Sequence, residues 1–66
     1  MKITFTKTRN GWKFYSAIRD DNEEYTKAET NFLKSENIPY VIKTVDEFNN
    51  NVIEEIEKDL DSKELN

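Results

Sequence analysis

The sequence predicts a small α+β domain. Three observations carry that expectation: an Asn10-Gly11 pair between two alternating apolar/polar runs, Thr-x-x-Glu helix-start signals at Thr26 and Thr44, and an apolar stripe at helical spacing from Val45 to Leu60. Together they give the order ββαβα, or ββββα if residues 23–28 are extended. The expected architecture is a two-layer sheet with helices on one face, ending in a C-terminal amphipathic helix.

Residues 1–19 read as a β-hairpin. Asn-Gly favours a type I′ turn, because both central residues need positive φ. That loop would place Arg9 opposite Trp12, Lys7 opposite Phe14, Phe5 opposite Ser16 and Ile3 opposite Ile18. Ile3, Phe5, Trp12, Phe14 and Ile18 then form the core face. The other face, with Thr4, Thr6, Thr8, Lys2, Lys13, Tyr15 and Arg19, meets water or a ligand.

Asp20-Asp21-Asn22 reads as a turn, and residues 20–37 as that turn plus a further element. Thr26-x-x-Glu29 followed by Ala28, Phe32 and Leu33 predicts a helix of about ten residues, ended near Asn37 by Pro39. The rival reading makes Glu23–Ala28 a third strand. Residues 39–43 read as a strand. The second capping box, Thr44 to Glu47, opens a helix over 45–62 with Val45, Phe48, Val52, Ile53, Ile56 and Leu60 on one face.

Sixty-six residues make a single domain over 1–66. Such a chain buries only about 60% of its unfolded surface, so a second copy or a partner chain is a natural source of added stability. There is no cysteine and no histidine, which excludes disulfides, thiolate chemistry, zinc-finger ligation and imidazole catalysis. The absence of a disulfide framework suits the cytoplasm. No run approaches the roughly 18 apolar residues of a membrane span, and Met1-Lys2 is not followed by the apolar core of a signal peptide.

The charges are sorted. Residues 1–19 carry Lys2, Lys7, Arg9, Lys13 and Arg19 and no acid; residues 20–66 carry all fourteen acids against five lysines. The two parts hold +5 and −9, giving the formal −4. Nucleophilic or acid–base catalysis needs an activated group beside a base, or a carboxyl held in an apolar pocket. The acids here fall in turns or on polar helix faces, so neither an enzyme nor a cofactor is expected. Asp20 to Glu24 lacks the alternating ligands and the glycine of a calcium loop, so no metal is expected either.

Two surfaces remain. Lys2, Lys7, Arg9, Trp12, Lys13, Tyr15 and Arg19 interleave cations with aromatics, a pattern that suits single-stranded nucleic acid; an ordinary wet sheet face has a similar composition. Arg9 opposite Trp12 would form a cation–π pair. The C-terminal helix is the opposite case. Glu54, Glu55, Glu57, Asp59 and Asp61 crowd its second half, where the helix dipole favours cations. Glu54–Lys58 and Asp59–Lys63 are favourable i,i+4 pairs, whereas Glu55–Asp59 and Glu57–Asp61 are unfavourable. Stability alone does not predict that placement. An acidic surface that imitates DNA phosphates, or docks on a basic groove, does.

Ile42-Lys43-Thr44-Val45-Asp46-Glu47-Phe48, with Val52 and Ile56 beyond, resembles the last strand and helix of the transcriptional-coactivator family that binds single-stranded DNA as a dimer. The similarity covers about the last third of the chain. It implies a strand at Glu23–Ala28, a homodimer, and hairpin cations along a DNA groove; the negative net charge departs from it. In size, charge and lack of cysteine the chain also resembles the small proteins by which phages and mobile elements disable host nucleic-acid enzymes, such as anti-CRISPR proteins. No motif carries that second likeness, so it transfers no functional residues. The leading expectation is a non-enzymatic inhibitor or regulator whose acidic helix docks on a basic, nucleic-acid-binding protein, a CRISPR effector nuclease being one candidate. The alternatives are a homodimeric single-strand binder and an accessory structural module.

Overall fold

The computed structural model describes residues 1–64, the side chain of Glu64 excepted. The elements are β1 (Lys2–Thr8), β2 (Gly11–Ile18), α1 (Glu23–Ser35), β3 (Tyr40–Thr44) and α2 (Asn50–Glu64). The α+β class and the ββαβα order are as expected. The sheet is antiparallel in the order β2-β1-β3, so β1 is central and both other strands are edges.

The hairpin turn lies one residue earlier than Asn-Gly suggests. Gly11, at φ 102°, is the sole hairpin residue with positive φ, whereas a type I′ turn needs two in succession. The loop is therefore Arg9-Asn10, closed by Thr8 opposite Gly11. Thr8 Oγ1 holds it, donating to the Gly11 carbonyl at 2.8 Å and accepting from the Asn10 N–H at 3.1 Å. In the resulting register Lys7 faces Trp12 and Phe5 faces Phe14, which replaces the expected pairs. Lys7, not Arg9, stands over the Trp12 ring, with Nζ 6.0 Å from its centroid.

A second irregularity falls between Thr4 and Phe5, where β2 has one extra residue, Tyr15. This bulge exchanges the faces of the strand beyond it. Ala17, not Ile18, pairs with Ile3, and Ser16 pairs with Thr4. Ile18 therefore sits on the threonine face, where it is buried.

Both faces of the sheet are covered. On one, Ile3, Phe5, Trp12 and Leu60 form the core, with Val41, Val45, Ile53 and Ile56 against it, so α2 packs there. On the other, Thr4 and Thr6 are only 1% and 7% exposed, beside buried Ile18 and fully buried Leu33 of α1. The Ser16 hydroxyl on that face donates to Glu29 of α1. The helices thus lie on opposite faces, not on one as expected. The threonine face is roofed by α1, because threonine is small and β-branched enough to pack under a helix.

The helix starts also shift. Asn22, not Thr26, caps α1: its Oδ1 accepts the Tyr25 N–H at 3.2 Å, and Glu23 and Glu24 complement the dipole in the first turn. Thr26 instead donates back to the Asn22 carbonyl at 3.1 Å. Residues 23–28 are helical, so the third-strand alternative and its ββββα order do not hold. The other end matches expectation. Asn37 takes φ 57°, with Ile38 N–H donating to Leu33 O and Asn37 N–H to Lys34 O, the paired bonds of a Schellman stop.

Before α2, Val45 does not enter a helix. Its N–H donates to Met1 O and its carbonyl accepts from the Met1 amino group, which extends the β1–β3 pairing past Thr44. The cap moves to Asn49, whose Oδ1 accepts the Val52 N–H at 2.9 Å. Phe48 stays outside the helix and packs on Phe14, at 5.8 Å between ring centroids. The helix expected over 45–62 is Asn50–Glu64.

Candidate functional site

The five acids singled out on α2 do not form one surface. Lys7 N–H donates to Pro39 O and Val45 N–H to Met1 O, so the odd residues of β1 hydrogen-bond toward β3. The even ones therefore face β2, and the N–H groups of Trp12 and Phe14 point off the open edge of the sheet. Asp61 accepts from Trp12 N–H at 2.7 Å and Glu57 accepts from Phe14 N–H at 2.8 Å. One helical turn separates the two carboxylates, and two residues separate the two N–H groups. The helix thus lays a ladder of acceptors along an edge strand that would otherwise offer unpaired donors to another chain. Asp61 also packs on Gly11, where a Cβ would stand 2.7 Å from its Oδ1.

This accounts for two acids placed against the helix dipole. Each gains a charge-assisted bond to backbone, worth more than the few tenths of a kcal/mol lost to the dipole. Asp59 pairs with Lys63 at 3.3 Å, as the spacing predicts. Glu54 and Glu55 are exposed. The acids open to a partner on α2 are therefore Glu54, Glu55 and Asp59, while Glu57 and Asp61 are held at the β2 edge.

The hairpin cations are dispersed. Arg19 pairs with Asp21 at 3.0 Å, and Lys7 lies over Trp12, a buried core residue. Arg9 and Lys13 are exposed, Lys2 is half-buried, and Thr4 and Thr6 are under α1. Of the aromatics interleaved with these cations, Trp12 is buried and Tyr15 lines a cleft against α1. Asp20 holds the Met1 amino group at 3.0 Å. Among the described residues, no helix is long and apolar enough to cross a membrane.

A feature without a strong sequence signal lies between β2 and α1. Tyr25, Ala28, Glu29 and Phe32 share one face of α1 at i, i+3, i+4 and i+7. The bulge turns both Tyr15 and Ser16 toward them. These six residues line a cleft of about 500 Å³. Tyr15, Tyr25 and Phe32 are 44%, 61% and 51% exposed. At its closed end Ser16 donates to Glu29 Oε2, while Glu29 Oε1 is buried with no hydrogen-bond partner. The i, i+3, i+4, i+7 spacing was present in the sequence, but the Tyr15 bulge that completes the cleft was not.

No family model, curated protein or solved structure matches this chain. Its function rests on its own geometry.

Proposed function

We propose that this protein is a small non-enzymatic binding protein, an inhibitor or regulator that docks on a basic, nucleic-acid-handling protein. One observation carries the reading: Glu54, Glu55 and Asp59 project from α2 while the core-facing residues Ile53, Ile56 and Leu60 and the edge-binding Glu57 and Asp61 account for the rest of its sheet side. Asp46 and Glu47, exposed in the segment leading into α2, add to the negative charge there. Glu54 and Glu55, exposed and in none of the ion pairs among the described residues, and Asp59, exposed beside Lys63, raise the local negative potential and steer a basic surface toward it. A chain of net charge −4 is repelled at long range by nucleic acid itself, and Trp12, the aromatic nearest the basic hairpin tip, is buried in the core. Among the described residues, no third group orients the Glu29 carboxylate beside Ser16, so the pair lacks the arrangement of an activated nucleophile.

The test is affinity capture from a heparin-retained protein fraction, followed by nuclease and polymerase assays on what is captured. Capture and inhibition are expected with the parent protein and lost with Glu54→Lys, Glu55→Lys and Asp59→Lys combined, with the fold intact by circular dichroism. Capture untouched by that reversal would refute the reading. So would micromolar binding of labelled single-stranded DNA at about 50 mM salt that Lys13→Glu plus Arg19→Glu abolishes.

A further inference from the structure

We infer that the cleft between the β2 bulge and α1 is a receptor for the cationic end of a lysine or arginine side chain, gripped by the rings of Tyr15, Tyr25 and Phe32 above the Glu29 carboxylate. The cation comes from the basic protein partner proposed above. The chemistry of the cleft does not depend on that reading, and its test needs no partner.

Four features point to this ligand. First, three aromatic side chains converge on one opening, each about half exposed or more. The ring contacts among the described residues are Phe5–Phe14 and Phe14–Phe48, so the three cleft rings are not stacked on one another. A ring face is the negative end of its quadrupole and attracts an ammonium or guanidinium within about 6 Å of its centroid.

Second, the closed end of the cleft is an acid. Among the described residues Glu29 has no cationic partner: the ion pairs there use Asp20, Asp21 and Asp59. Ser16 satisfies Oε2, and Oε1 is shielded from solvent with no donor. A shielded charge acts through protein, where the effective dielectric is well below that of water, so its pull on a cation between the rings is strong. An apolar ligand would leave that acceptor as unsatisfied as it is now; a cation compensates it.

Third, Ala28 lies between Tyr25 and Phe32 on the lining face of α1. A methyl there leaves room, and a volume of about 500 Å³ accommodates a basic side chain with its apolar stem along the ring edges.

Fourth, Leu33 is wholly buried beneath α1 while its neighbour Phe32 is 51% exposed. Phe32 and Tyr25 are thus left over from the packing of α1 on the sheet.

The experiment is an NMR titration of the intact protein with N-acetyl-lysine amide and N-acetyl-arginine amide, against the neutral analogue N-acetyl-norleucine amide. The cationic amides should give saturable shifts at Tyr15, Ser16, Tyr25, Glu29 and Phe32, with millimolar affinity, on the order of what one cation in a small aromatic site supplies. Trp12, on the opposite face of the sheet, should not move. Glu29→Gln keeps an acceptor for the Ser16 hydroxyl, so it should fold normally and weaken binding about tenfold. Ala28→Phe fills the cleft and should abolish the shifts, with an unchanged helical circular dichroism spectrum showing that α1 still forms. Equal binding of the norleucine amide would overturn the inference, as would the absence of saturable cleft shifts up to about 100 mM ligand. Cationic shifts confined to Glu54, Glu55 and Asp59 would also overturn it. The two readings fail separately: saturable cleft binding of the cationic amides with partner capture untouched by α2 charge reversal would uphold this inference and refute the functional reading, and capture lost on α2 reversal with no cleft binding of the amides would do the opposite.

Discussion

Removing the Asp61 carboxylate should destabilise the protein through a bond that spans 49 residues of sequence. Its Oδ1 accepts the Trp12 N–H at 2.7 Å in a part-buried setting. Hydrogen bonds to charged groups contribute about 1.5–3 kcal/mol, and partial exposure of Asp61 puts Asp61→Ala near the lower end, about 1.5 kcal/mol. In a domain of this size that is a fall in Tm of about 6–12 °C. Gly11 makes the argument sharper. At φ 102° an alanine is strained, by about 1–2 kcal/mol. Its Cβ would also stand 2.7 and 2.9 Å from the two carboxylate oxygens of Asp61. Gly11→Ala must therefore displace the carboxylate and lose the same bond, for a total of about 3 kcal/mol. In the double variant that bond is lost only once. Gly11→Ala with Asp61→Ala should cost about 3 kcal/mol, not the 4.5 or so of the sum, a coupling of about 1.5 kcal/mol. Chemical denaturation followed by Trp12 fluorescence and by circular dichroism measures all three. A loss under about 0.5 kcal/mol for Asp61→Ala, or full additivity, would refute the edge-capping account.

Two further outcomes test the fold. Leu33→Ala should cost about 3 kcal/mol in denaturation, because Leu33 is wholly buried and its loss opens a cavity between α1 and the threonine face; a cost below about 1 kcal/mol would mean that α1 does not pack there. Asn49→Ala should cost about 1 kcal/mol by thermal melting while Thr44→Ala costs less, since Asn49 accepts the Val52 N–H and Thr44 is the exposed end of β3; the reverse order would restore the earlier helix start.

How far the sequence can be read varies element by element. The Schellman stop at Asn37 was visible because Asn, with Pro two residues on, is a local signal. The apolar stripe of α2 was visible because its spacing is helical whatever it packs against. Both capping boxes misled. Thr26 was outcompeted by Asn22 one turn earlier, and Thr44 by the pairing of Val45 with Met1, a contact between residues 44 apart. The acids of α2 stood out against the helix dipole, but the edge-binding role of Glu57 and Asp61 could not be seen. Which N–H groups lie on a free edge depends on which strand is central, and nothing in residues 1–19 says that β3 will pair with β1. The cleft was half legible: its α1 face follows from helical spacing, and its β2 wall depends on the Tyr15 bulge.

By itself, then, the sequence determined the α+β class, the order ββαβα with ββββα left open at residues 23–28, the hairpin, the amphipathic stripe of α2 and the sorting of charge. These follow from periodicity, turn chemistry and composition, which act within a few residues. Only the tertiary structure decided the register slip at Tyr15, the burial of Thr4 and Thr6, the division of the α2 acids into edge-binding and outward-facing groups, and the aromatic cleft over Glu29. Each of those turns on a bond or a contact between elements far apart in the chain: Trp12 to Asp61, Phe14 to Glu57, Ser16 to Glu29. Local propensity has no information about such partners, because they exist only once the strands have chosen their neighbours and the helices their faces.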